Sequence, residues 1–267
     1  MNTQAAKAEA FCALHAQGTF IMPNFWDVGS AVILQRLGFE ALASTSAGFA
    51  QAIGRLDGQI TLAEKLDHCR AVAAATQVPI SVDFENGFAH EPQGVAENLI
   101  QLAATGIVGA SIEDFSRETI YDINLATERI QASVEAAASL DFPFTLTARA
   151  ENLIRGVQDL DDTIARLVAY ESAGADVLYA PGLSSIEQIQ AVLEAVQKPI
   201  NVLFAFMPDT PMQEYAKLGV RRISLGSALA NHAIGATLSA ANAMLENGDF
   251  TWVMDAAPGR VINQLLS

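Results

Sequence analysis

The stretch PISVDFENGFAHEP, residues 79–92, opens as a β-forming run and ends by setting Asp83 and Glu85 two positions apart, with Gly87 close behind. Side chains alternate along a strand, so this spacing puts both carboxylates on one face. Carboxylates held that close repel each other unless a cation, a proton or solvent separates them. The run itself is apolar without interruption, as in a parallel strand buried on both faces.

Runs of the same kind recur along the chain. They are TFIMPN (19–24), ALASTS (41–46), PISVDFE (79–85), GASIED (109–114), FTLTARAE (144–151), ADVLYAP (175–181), PINVLFA (199–205) and RRISLGS (221–227). Stretches with helical periodicity lie between them, from GSAVILQRLGF to ALANHAIGATLSAANAMLENG. Gly38, Gly106, Gly174 and Gly219 stand where a left-handed residue would end a helix before the next strand. Eight such β/α units predict a (β/α)8 barrel. The rival, an open doubly wound sheet, would carry a glycine-rich turn after its first strand, and MPNFWDVGS is not one. No linker or low-complexity segment interrupts the pattern, so residues 1–267 are expected to form one domain. A tail from about residue 249, containing Trp252, leaves the repeat and is expected to pack on the barrel or on another subunit.

Composition narrows the function. The formal charge of −15 opposes nucleic acid and anionic membrane surfaces as partners. No apolar run of about 18 residues predicts a membrane span, and the N-terminus lacks the charged-then-apolar pattern of a signal peptide. Cys12 and Cys69 read as small buried apolar residues, which fits a reducing, cytoplasmic location. An anionic substrate would need a local positive centre, an arginine or a metal ion.

In a (β/α)8 barrel the chemistry collects at the C-terminal ends of the strands. There the sequence offers Asn24 and Asp27, Ser44 to Ser46, Asp83 and Glu85, Glu113 and Asp114, Arg149 and Glu151; Asn201 opens the seventh run. Asp83, Glu85 and Glu113 converge from adjacent strands with no lysine near. All-oxygen donors of this kind suit Mg²⁺, or Mn²⁺. Asp114 reads as structural. Arg149 would point between the acids, free to pair with a substrate carboxylate or phosphonate or to serve as their structural partner. None of Lys7, Lys65, Lys198 and Lys217 lies at a strand C-terminal end, which excludes a Schiff-base aldolase. Among the histidines only His90 is expected near the site. The PGLSSIEQ turn could offer amides to an anion, although Ser184 or Ser185 as an N-cap explains it equally.

These residues in this order resemble the isocitrate lyase/phosphoenolpyruvate mutase superfamily, over nearly the whole chain. The most specific points are ASTSAGFAQAIGRLDG, SVDFENGFA, SIEDFS and TARAEN. The resemblance implies a metal site on Asp83, Glu85 and Glu113, partly through water, and a catalytic role for Glu113. It places the substrate-binding arginine at Arg149 and a loop acid bordering the substrate at Asp57. It puts the groups that hold a 2-oxo acid carboxylate at Thr45, Ser46 and Ala47. It also implies a homotetramer in which the eighth helix packs on a neighbouring barrel.

The implied reaction cleaves or forms a bond at C3 of a small 2-oxo acid or related dicarboxylate, with Mg²⁺ stabilising a pyruvate enolate. Two departures bear on it. The loop EDFSRETIYDIN lacks the cysteine of the lyase branch, and Arg117 and Asn124 are poor stand-ins for the lysine and asparagine of the mutase branch. Glu85 stands where relatives commonly carry Asp, and its extra methylene would shift the ion or admit a water. Oxaloacetate decarboxylation or retro-aldol cleavage of a larger dicarboxylate is the first expectation. A phosphonate mutase or hydrolase, and a 2-oxo acid binding protein without turnover, are the alternatives. The loop GRLDGQITL (54–62), with Gly54 and Gly58 at hinge positions, is expected to gate the site.

Overall fold

In the computed structural model, which describes residues 3–267, the strands form one parallel sheet that closes on itself. The strands are β1 Phe20–Met22, β2 Asn24–Phe25, β3 Leu42–Ser44, β4 Ile80–Asp83, β5 Gly109–Glu113, β6 Thr145–Arg149, β7 Val177–Tyr179, β8 Ile200–Leu203 and β9 Arg222–Ser224. Their order is β1-β9-β8-β7-β6-β5-β4-β3-β2. Pro23 alone separates β1 from β2, and proline has no N–H for the ladder. The first expected strand therefore splits, one half pairing with β9 and the other with β3, and this closes the barrel. The expected barrel is the fold that forms.

The helices that matter for the site are α1 Gln4–Ala16, α2 Val28–Arg36, α3 Ser46–Ala52, α4 Leu62–Ala75, α5 Pro92–Ala103, α6 Ile123–Ala138 and α7 Leu160–Ser172. They are followed by α8 Ile186–Ala195, α9 Met212–Leu218, α10 Ala228–Asn247 and α11 Gly259–Leu266. The glycines expected at helix ends, Gly38, Gly106, Gly174 and Gly219, all take φ between 96° and 102°, the left-handed region that favours glycine. Ser185 is the N-cap of α8, its hydroxyl accepting from Gln188 N–H, which accounts for the PGLSSIEQ turn.

The main core joins strand residues such as Leu42, Ile80, Val82 and Leu146 to Cys69, Leu99, Ile130 and Leu167 on the helices. At the other end of the barrel α1 forms a plug, with Ala8 and Phe11 packed on Phe20, Met22 and Val108. Cys69 is buried as expected; Cys12, on the outer side of α1, is exposed. An amphipathic helix buries only one stripe, and Cys12 lies beside that stripe rather than on it. α11 lies against α2, while Trp252 and its neighbours stay largely exposed. Among the described residues no helix is long and apolar enough to cross a membrane.

Candidate active site

A cavity of about 390 Å³ opens at the C-terminal mouth of the barrel. Asp83, Glu85, Glu113, Arg149, Asn201, Asp57 and the Thr45-Ser46-Ala47 segment all line it. They reach it by different routes. β4 stops at Asp83, and Glu85 sits in a following turn with φ 48°, so its carboxylate faces the cavity through a left-handed residue rather than through strand alternation. Gly87 in the same turn has no alternative, because a Cβ there would lie 2.6 Å from Val95 Cγ1. Thr45 caps α3 by accepting from Gly48 N–H at 3.3 Å. A Cβ on Gly48 would meet Thr45 Cγ2 at 2.6 Å, so only glycine lets α3 start this close to the mouth.

Arg149 is the hub. Its Nη1 donates to Asp83 Oδ1 at 2.8 Å, and its Nη2 to Glu151 Oε1 at 2.7 Å, with Glu113 Oε2 at 3.3 Å. The guanidinium lies over the Tyr179 ring, 5.2 Å from its centroid. Asp83 Oδ2 accepts from Ser46 N–H at 3.1 Å. Burial works to raise the Asp83 pKa, but Arg149, Lys65 and the Ser46 amide outweigh it and hold the carboxyl below its ordinary value. Glu113 goes the other way: burial, then the charge of Glu151, push it well above the carboxylate range. Environment therefore separates two neighbouring carboxylates into one that stays ionised and one that favours its proton.

Two further arginines stand at the mouth. Arg117, itself at φ 78°, donates to Glu85 Oε2 at 2.7 Å. Arg155 donates to Glu151 Oε2 at 3.1 Å and stacks its guanidinium 4.0 Å from the Phe115 centroid. Asp57 is exposed on its loop, and its Oδ1 accepts from Gly58 N–H at 3.1 Å.

Some sequence expectations change here. His90 does not line the cavity; its Nδ1 is 2.7 Å from the Tyr121 hydroxyl, which turns the ring away. Asn124 lies on the outer part of α6, beside a surface groove, and only Arg117 of that loop pair reaches the site. Asp114 is structural as read, its Oδ2 accepting from Tyr170 at 2.6 Å and Arg166 at 3.0 Å. The expectation of no lysine near the acids fails, since Lys65 is fully buried and its charge acts on both Asp83 and Glu85. It comes from the flank of α4, so a survey of strand ends misses it. Arg155, Phe115 and Tyr179 were also outside the expected set. Of these only Tyr179 carried a signal, its place at the end of a strand.

Among the described residues no cluster of three acids forms a ready-made cation site, because arginines stand between the carboxylates. The donor chemistry still suits a hard divalent ion. Glu85 Oε1 is buried and without a hydrogen-bond partner, while Asp83 and Glu113 present oxygens to the same cavity.

Residues 11–245 match the protein family described as phosphoenolpyruvate phosphomutase. A Burkholderia cenocepacia J2315 protein whose crystal structure is named as that of a "putative lyase/mutase" superposes with a TM-score of 0.95 at 50% identity, covering 99% of this chain and 96% of its own. Oxaloacetate decarboxylase of Pseudomonas putida (strain GB-1) is 28% identical over 240 residues, 85% of this chain and 81% of that protein. Phosphonopyruvate hydrolase, crystallised with oxalate and Mg²⁺, shares the fold at a TM-score of 0.86 and 21% identity, covering 99% of this chain and 95% of its own.

Proposed function

The chain belongs to the phosphoenolpyruvate mutase/isocitrate lyase superfamily, and on that premise we propose that it is a Mg²⁺-dependent lyase or decarboxylase. It would act on a small 2-oxo acid or related dicarboxylate, breaking a bond at C3. The observation that carries this reading is the split between Asp83 and Glu113 around Arg149, next to the unpartnered Glu85 oxygen. Asp83, Glu85 and Glu113 would hold the ion. When bound, it supplies Lewis-acid stabilisation for negative charge that develops on substrate oxygens as the bond breaks.

The chain's own groups divide the remaining work. Arg149, anchored from behind by Glu151, keeps a fixed positive charge at the cavity wall for an anionic substrate. Ser46 holds Asp83 in place, and the Thr45-Ser46-Ala47 segment with Asn201 bounds the pocket that would receive the 2-oxo acid end. Tyr179, its hydroxyl pushed up to about 12 by burial, stays a neutral donor in the cavity at physiological pH. Burial and the charge of Glu151 favour the protonated form of Glu113 until an ion binds, so taking up the ion would displace that proton. Asp57 on its glycine-flanked loop would close the mouth and exclude water.

A second reading, action on a P–C bond, is favoured by Arg117 and Arg155, which with Arg149 and Arg222 bring four guanidiniums to one cavity. Steady-state turnover of oxaloacetate and of phosphonopyruvate, each with and without Mg²⁺, separates the two.

We also propose that the protein is a homotetramer with α10 packed on a neighbouring barrel. Ala230 is the buried residue of this helix, whereas Ile234, Leu238, Met244 and Leu245 are exposed, followed by exposed Phe250, Val253 and Met254. Apolar surface of that extent marks an interaction site.

A further inference from the structure

Lys65 is fully buried and its Nζ has no hydrogen-bond partner. It projects from the first turn of α4, beneath the Phe49 ring at 5.8 Å, in a wall completed by His68 stacked on Phe49 at 4.0 Å. Three costs meet at this position. An ammonium is taken out of water, its donors are unmatched, and it stands at the positive end of a helix dipole. A methionine or leucine would fill the same space without any of them. In the cavity lining, Glu85 Oε1 is a second buried atom without a partner, and Glu85 is held in a left-handed turn. The charge of Lys65 acts on Asp83 and Glu85, which also pair with Arg149 and Arg117, while Asp27 acts on His68.

We propose that Lys65 is a positioning residue, a built-in countercation for the Asp83–Glu85 pair. It keeps the two carboxylates assembled and moderates their attraction for a divalent ion, so that the ion stays exchangeable. This rests on the reading of the acids as the ion's ligands. Opposite charges in a buried, low-dielectric setting interact strongly, and removing the ammonium leaves the pair more attractive to a cation.

The test is Mn²⁺ binding to the full-length protein by titration calorimetry, without substrate, for wild type, Lys65→Met, Lys65→Gln and the remote surface variant Lys217→Met. Lys65→Met and Lys65→Gln, once shown to be folded by their melting transitions, are expected to bind Mn²⁺ about ten-fold tighter or more. Lys217→Met, which removes a charge far from the cavity, is expected to leave the affinity unchanged. A folded Lys65 variant with wild-type affinity overturns the role of Lys65 alone, as does an equal gain in Lys217→Met. If neither wild type nor the Lys65 variants take up Mn²⁺, the metal reading falls as well. Uptake by the Lys65 variants alone would support the countercation.

Discussion

Arg149 and Asp83 meet in a direct ion pair at 2.8 Å at the cavity mouth, joining the end of β6 to the end of β4 across the intervening β5. The same guanidinium also contacts Glu113 and Glu151. Removing it would strand three buried or half-buried carboxylates. Arg149→Met is therefore expected to cost about 3–5 kcal/mol of stability as well as activity. Urea unfolding of the variant checks this, and a wild-type midpoint would show that the acids are neutralised by other means.

Asp57 lines the cavity yet is exposed, on a loop whose Gly54 and Gly58 both take positive φ. A group that acts only on closure should matter more in the transition state than in the ground state. Asp57→Ala is expected to lower kcat about 10²-fold while changing the affinity for oxalate little. An unaltered kcat would reduce the loop to scaffold.

Much of this was legible in the sequence because the relevant signals are local. Eight β-rich runs, glycines at helix ends and acids at strand ends state the barrel and most of the cavity lining. What the sequence withheld depends on tertiary approach. Lys65 reaches the acids through the side of α4, a direction that strand-end bookkeeping cannot see. Arg155 arrives on the single turn after Glu151 and is held there by Phe115, a residue from a different loop. His90 failed for the converse reason, since sequence nearness to Glu85 does not decide which way a loop turns.

Two buried histidines make stability depend on pH. His15 Nδ1 bonds the Phe11 carbonyl oxygen at 2.8 Å and its Nε2 faces Arg222 Nη1 at 3.3 Å, an arrangement for a neutral ring. Burial, then Arg222, lower its pKa to about 3; burial, then Lys65, lower that of His68 to about 4. Both values lie below the unfolded value, so the neutral forms favour the native state above pH ~6.5, and that stability is lost as the pH falls from there toward 4. His68→Phe keeps the stack on Phe49 and removes one titration. It is expected to flatten the fall in unfolding free energy between pH 6 and 4.5 by up to about 1.4 kcal/mol per pH unit. An unchanged slope would mean that His68 is protonated in the native protein.

The exposed face of α10 gives a test of assembly. Light scattering coupled to size exclusion is expected to report a tetramer, and Leu238→Glu, which charges a 58% exposed apolar position, is expected to lower the mass. A monomeric wild type at micromolar concentration would contradict the helix exchange.

The most direct test of the proposed reaction is oxaloacetate turnover by wild type and Asp83→Ala, with Mg²⁺ and with excess chelator, after subtraction of the ion's own background rate. Release of pyruvate or of a C3-cleavage product by wild type only with Mg²⁺, abolished in a folded Asp83→Ala protein, is the expected result. Equal turnover by the variant or in chelator, or no turnover of oxaloacetate or other C3-cleavable 2-oxo acids and dicarboxylates with Mg²⁺ present, would contradict it.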